Sequence, residues 1–140
     1  MKLNDAARGL IGKGADATRV TLNPDGSPQV SVVWVALQST PDGDELVTAH
    51  LAEHKKVRNV RRDPRVAVTI VGPGQAGQVM HPYLAITGTA RIVEGGAPAL
   101  LKELAQTMAP DAAFPPPNAP AGWLTRIRID KVGGVGPWAS

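Results

Sequence analysis

Leu51-Ala-Glu-His-Lys-Lys-Val-Arg-Asn-Val-Arg-Arg-Asp-Pro-Arg65 is the stretch on which the reading of this chain turns. It places Lys55, Lys56, Arg58, Arg61, Arg62 and Arg65 within a few turns of one short helix. Helical spacing puts Lys55, Arg58 and Arg62 on one face, with Lys56 and Asn59 beside it. Val57 and Val60 point the other way, toward a core. Lys, Arg and Asn side chains at a helix start suit the holding of a phosphate. A merely solvated helix face is the competing reading, since charge runs are most often surface. Asp63-Pro64 stops the helix.

Around this helix the chain alternates. Glu45 to His50 reads as a strand leading into it, and Val66-Ala-Val-Thr-Ile-Val71 as a strand leaving it. Further upstream, Asn4 or Asp5 caps a short helix running to about Ile11, ended by Gly12 and Gly14. Thr18 to Leu22 reads as a strand, and Asp25-Gly26 as the tip of a turn. Gln29 to Leu37 is a longer strand, followed by a second Asp-Gly turn at Asp42-Gly43. Both faces of the 29–37 strand are mostly apolar, so burial on both sides is expected. One side is core; the other calls for a second subunit or a flat ligand.

Downstream, Gly72 to Gly77 is a Gly-rich loop and His81 to Glu94 a long strand, broken by Gly95-Gly96. Ala97 to Met108 reads as an amphipathic helix and Phe114 to Pro120 as a stiff Pro-rich loop. Trp123 to Ile129 is the last strand. About six antiparallel strands with three short helices and hairpin turns indicate a small barrel, mainly β (α+β), rather than a parallel sheet. There is no internal repeat, and residues 1–140 read as one domain.

Composition narrows the function classes. The 43% hydrophobic content suffices for a core, yet only 4% is aromatic, so Val, Ile, Leu and Ala must fill it. Zero cysteines exclude disulfides, thiol catalysis and cysteine metal sites. No apolar run approaches the roughly 20 residues of a spanning helix, and the N-terminus has no signal core. A soluble, cytoplasmic protein without membrane insertion is expected. The net charge of +3 owes much to Lys55–Arg65. So local a patch is more often an anion site than a nucleic-acid surface, and aromatic stacking residues are scarce.

Other motifs are weaker. His50-Leu-Ala-Glu-His54 matches an H-x-x-E-H zinc pattern, but His50 ends a strand, so the pair does not share a helix and no metal is expected. No G-x-S-x-G occurs, and no Gly-Lys-Ser/Thr follows the Gly-rich loop. Trp34, in a doubly apolar strand, either stacks on a planar ring or packs in a core or dimer. Trp138, in Gly-Pro-Trp, is too specific for a linker. Tyr83, the lone tyrosine, and His81 stand at the start of a strand; either a proton-donor or a structural role fits them.

Taken together, Asp25-Gly-Ser-Pro-Gln-Val-Ser-Val-Val-Trp34, Thr48, Lys56-Val-Arg-Asn-Val-Arg-Arg-Asp-Pro-Arg-Val66 and Tyr83-Leu-Ala-Ile-Thr-Gly-Thr-Ala90 resemble the pyridoxamine-phosphate-oxidase-like proteins. These are the split β-barrel (FMN-binding-like) family of flavin- and deazaflavin-dependent oxidoreductases. The resemblance implies a homodimer with cofactor sites in interface grooves. It places Lys55, Lys56, Asn59 and Arg62 at the cofactor phosphate. It places the backbone of Val30, Ser31, Val32 and Val33, with the Thr48 side chain, along the ring.

The chain lacks the strand Arg and Lys and the C-terminal Arg-Leu-x-Pro motif of the oxidases proper. The short length and the Lys-Val-Arg-Asn-Val-Arg-Arg-Asp-Pro run look more like the actinobacterial branch that uses coenzyme F420. An F420-dependent oxidoreductase is thus expected, passing a hydride from reduced deazaflavin C5 to a small planar electron-poor substrate such as a quinone or enone. Arg58, Arg61 and Arg65 could attract the cofactor's oligoglutamate tail, and Trp138 with the Pro-rich loop would wall the substrate site. Tyr83 and His50 are the candidate proton donors, and bulk water would also serve. An FMN-dependent enzyme on the same fold and a non-catalytic F420-binding or storage protein stand as alternatives.

Overall fold

The computed structural model describes residues 1–74 and 76–138, so Gln75 of the Gly-rich loop and the last two residues of the tail lie outside the described residues. In chain order the elements are α1 (Asp5–Ile11), β1 (Ala15–Leu22), β2 (Pro28–Thr40), β3 (Gly43–His50), α2 (Lys55–Arg62), β4 (Arg65–Val71), β5 (Tyr83–Glu94), α3 (Ala97–Met108) and β6 (Trp123–Val135). The strands close into a barrel in the order β1-β2-β3-β6-β5-β4. Every ladder is antiparallel, and Thr18–Val20 of β1 against Ala67–Thr69 of β4 completes the circle.

The strands outrun their expected limits. β1 begins at Ala15 rather than Thr18, and β2 runs from Pro28 to Thr40. β6 continues past Ile129 to Val135, because β5 offers it a partner along the whole way. A bulge at Thr87/Gly88 keeps the pairing in step through Asp130 and Lys131. β5 starts at Tyr83, leaving His81 outside the strand.

Inside the barrel, Val35, Leu46, Val68, Ile70, Leu84, Ile86, Ile127 and Ile129 form the main core, which Leu3, Ala7 and Ile11 join from the N-terminal segment. Each such burial is worth about 1.5–3 kcal/mol. A second cluster lies outside the barrel wall, where Leu100 and Leu104 of α3 cover Ala36, Val47 and Leu124.

The outer face of β2 therefore changes along its length. Ala36 is covered by α3, whereas Val30 and Val32 are 59% and 68% exposed. The expected burial of both faces is not met within one chain at that end, because no element among the described residues covers it.

Asp44 fastens α1 to the barrel. Its carboxylate accepts from the Leu3 backbone N–H, from Arg8 and from Ser39. Burial opposes its ionisation, but Arg8, Leu3 and Ser39 outweigh burial and hold the carboxyl below its ordinary range. Asp44→Ala should cost about 2–4 kcal/mol in urea unfolding, because the Leu3 N–H and the Arg8 guanidinium lose their partner. Limited proteolysis should then cut first near α1.

Candidate functional site

α2 is an unusual helix. Its N-cap is His54, which makes no side-chain cap bond, and its first turn holds no acidic residue. Lys55 and Lys56 sit there instead, against the positive end of the helix dipole. That arrangement works against the helix and in favour of an incoming anion. Val57 and Val60 are buried, as their spacing predicts.

The cations of the stretch divide into two groups. Arg61 pairs with Glu53 at 2.9 Å, Arg58 donates to the Glu53 carbonyl, and Arg65 pairs with Asp63 at 2.7 Å. Arg62 donates to the Leu22 carbonyl and to Asn59 Oδ1. Lys55 and Lys56 make no hydrogen bond or ion pair among the described residues. Lys56 is half-buried, and burial, with Arg19 nearby, lowers its pKa.

Asn59 is turned inward, not out beside the cations. It is 1% exposed and its amide donates to Thr21 Oγ1 at 3.1 Å and Asn23 Oδ1 at 3.0 Å. With Arg62 it pins the β1–β2 hairpin to α2, so both polar groups are already spoken for. Of the predicted phosphate residues, the structure brings Lys55 and Lys56 together at the start of α2. It sets Asn59 and Arg62 at the hairpin.

Beside Lys56 lies a groove of about 340 Å³. Its floor is the outer face of β2 and β3, from Val32, Trp34 and Ala49, with Asp16 of β1 and the inward-packed Val33 also bordering it. Leu101 of α3 and Phe114 form a wall, and Phe114 meets Trp34 edge-on with ring centroids 6.0 Å apart. The groove is apolar on its floor and cationic at one end. That chemistry suits a planar ring bearing an anionic arm, and the volume is at the small end for ligand sites.

Three expected site residues face elsewhere. Thr48 neighbours Ala49 but points into the barrel, because successive strand residues alternate faces; it is fully buried and accepts from Arg19 at 2.9 Å. Trp138 is 8% exposed, packs in the main core and donates its indole N–H to the Tyr83 carbonyl at 2.7 Å. This lies at the Val71–Tyr83 end of β4, whereas α2 leads into the Arg65 end. His50 is 3% exposed inside the barrel, with Nε2 2.8 Å from Thr125 Oγ1 and 3.2 Å from Thr48 Oγ1. Burial first, then Arg19, Lys56 and His54, push its pKa down to about 3. It is therefore neutral at physiological pH and has no imidazolium proton to give. Neither His50 nor Tyr83 lines the groove.

His50 and His54 do not converge, their rings standing 6.4 Å apart at 74°. Among the described residues no group of three or more His, Asp or Glu is placed to hold a metal.

Residues 4–135 match the pyridoxamine 5'-phosphate oxidase family. The chain belongs to that family. Among solved structures, an F420 reductase from Mycobacterium smegmatis superposes with a TM-score of 0.73 at 23% identity, over 90% of this chain and 94% of that one. A conserved hypothetical protein of Mycobacterium tuberculosis gives 0.65 at 20% identity, covering 95% and 84% of the two chains. The heme storage protein HutZ of Vibrio cholerae gives 0.57 at 16%, covering 97% and 96%. At these identities the likeness is one of fold. No curated protein matches the sequence.

Asp16, Ala49 and Leu101 escaped the sequence reading of the site, whereas Phe114 opens the Pro-rich loop that was expected to wall it.

Proposed function

We propose that the chain is an F420-dependent reductase that binds its cofactor in the groove between α2 and the outer face of β2. One observation carries this reading: Lys56, unpaired at the start of α2 next to the equally unpaired Lys55, lines a groove whose apolar floor contains Trp34. When bound, a reduced deazaflavin supplies the hydride-transfer chemistry. Lys55 and Lys56 hold its phosphate. Val32, Trp34 and Ala49 support the ring and keep water from that side. With His50 neutral and buried, the proton that completes reduction comes from solvent at the open side of the groove.

The exposed Val30 and Val32 favour a homodimer, whose second copy would cover the remaining edge. Thr48 and Trp138 then act through the fold, Thr48 by ordering the strand beneath the floor and Trp138 by fixing the start of β5.

Parallel fluorescence titration with F420, FMN and FAD tests this reading. F420 should bind in the micromolar range or tighter, in preference to both flavins. Lys56→Glu should weaken that binding about 10- to 100-fold, the range of one charge-assisted hydrogen bond. Preference for FMN would move the protein to a flavin-dependent reaction. Tight F420 binding without reduction of any enone or quinone by the reduced cofactor would make it a carrier.

A further inference from the structure

Arg19 is the most anomalous side chain in the molecule. It lies in β1 with its side chain inside the barrel, and it is 0% exposed. Its Nη1 donates to Thr48 Oγ1 at 2.9 Å. Its Nε and Nη2 have no partner, and neither does the buried Oγ of Ser31. No carboxylate among the described residues pairs with it, and burial alone accounts for the fall of its pKa to about 10. The guanidinium therefore stays charged at neutral pH, enclosed and uncompensated. The cluster around it adds no negative charge, since Lys56 is a second cation, His50 is neutral, and Thr48 and Thr125 are hydroxyls.

Burying a lone charge costs several kcal/mol unless something offsets it. The geometry of the unpaired atoms indicates what that something is. Nε–H and Nη2–H lie on one edge of the guanidinium, the edge that takes two oxygens of a carboxylate or phosphate side by side. Ser31 stands directly opposite Arg19 in the β1–β2 ladder. Both side chains point inward, so their Cβ atoms are about 5 Å apart. The register thus puts an unpartnered hydroxyl on the same side of the ladder as the unpartnered guanidinium edge.

We propose that Arg19 and Ser31 form an oxyanion-binding cradle inside the barrel, with Lys56 at its outer side. It takes one phosphate- or carboxylate-like group through two parallel N–H donors and one hydroxyl. Two sources share that chemistry, a free inorganic oxyanion and the acidic arm of a molecule seated in the groove that Lys56 also lines. The proposal does not depend on which cofactor occupies the groove.

The test compares wild type with Arg19→Met and Ser31→Ala by thermal unfolding at constant ionic strength, exchanging chloride for phosphate. Phosphate should raise the wild-type Tm by several degrees at saturating concentration, following mass action. Arg19→Met should lose that response, and without phosphate it should be as stable as wild type or more so, because it removes an unpaired buried charge. Ser31→Ala, a smaller change that leaves the charge, should shift the phosphate midpoint upward several-fold. An equal phosphate effect on all three proteins, the general action of an excluded salt, would overturn the proposal.

A second arm separates the sources. F420 and its phosphate-free deazariboflavin core are titrated with and without phosphate. Competition of phosphate with F420 but not with the core, abolished by Arg19→Met, assigns the cradle to the groove ligand's phosphate. Independent binding of phosphate and F420 assigns it to a free oxyanion. Groove binding that survives in Arg19→Met, with no phosphate response in wild type, removes the cradle and leaves the proposed function standing.

Discussion

Gly134→Val should leave little folded protein, whereas Gly133→Ala, one residue earlier, should fold almost as the wild type does. Gly134 has φ +104°, which side-chain-bearing residues rarely adopt, and a Cβ there would strike the Tyr83 carbonyl oxygen and come within 3.0 Å of the Ala85 nitrogen. Both are backbone atoms of β5, so neither can rotate aside. The same Tyr83 carbonyl accepts the Trp138 indole N–H. One substitution therefore disturbs the end of the β5–β6 ladder and the seat of Trp138. A Cβ at Gly133 meets nothing within 4 Å. The loss for Gly134→Val should reach about 4 kcal/mol or more, the range of exceptional point mutations, against less than about 1 kcal/mol for Gly133→Ala. Urea unfolding followed by tryptophan fluorescence reads both, and similar midpoints for the two variants would refute the argument.

Acid should destabilise the barrel well above the pH at which carboxylates titrate, through His50. The folded-state pKa of His50 is about 3, against an ordinary value of 6.5. Above 6.5 both the folded and unfolded forms are neutral and the full stability is present. As pH falls below 6.5 the unfolded chain takes up a proton that the folded barrel refuses, so stability declines until the folded form titrates near 3. Across that window the loss is on the order of 4 kcal/mol. The carboxylates of Asp44, Glu45 and Asp63, all held below their ordinary range, add their own losses at the acid end. His50→Gln keeps a group able to bond Thr48 and Thr125 but cannot titrate. Its stability should stay nearly flat from pH 6.5 to 5 while the wild type falls by roughly 1.6 kcal/mol over that interval, its slope steepening toward about 1.4 kcal/mol per pH unit at the acid end. Parallel curves for the two proteins over that interval would show that His50 is not the group responsible.

The strand order along the chain, the position of all three helices and the turn at Asp25-Gly26 were legible in the sequence. Each depends on local physics: the Asn4 cap, the Pro64 stop, the apolar runs of β2 and β4, the Gly95-Gly96 break. β6 shows where local physics ends. Asp130, Lys131, Gly133 and Gly134 read as an exit from a strand, yet the chain continues to Val135 because β5 supplies hydrogen bonds along the whole edge and a bulge absorbs the misfit. Pairing partners are not written in the segment itself.

The candidate site divides in the same way. By itself the sequence determined that cations cluster on α2 at its junction with β3, and that a strand with two apolar faces runs nearby. Only the tertiary structure decided which of those cations remain available, by giving Arg58, Arg61, Arg62 and Arg65 partners and leaving Lys55 and Lys56 without them among the described residues. It also decided the facing of β1. Simple alternation leaves open whether Val20 and Leu22 or Arg19 and Thr21 turn inward, and barrel closure puts Arg19 and Thr21 inside, fully buried. The reason is register. Once β1 is locked between β2 and β4 its facing is set by both neighbours at once, and a single residue's polarity is a smaller term than two ladders of hydrogen bonds.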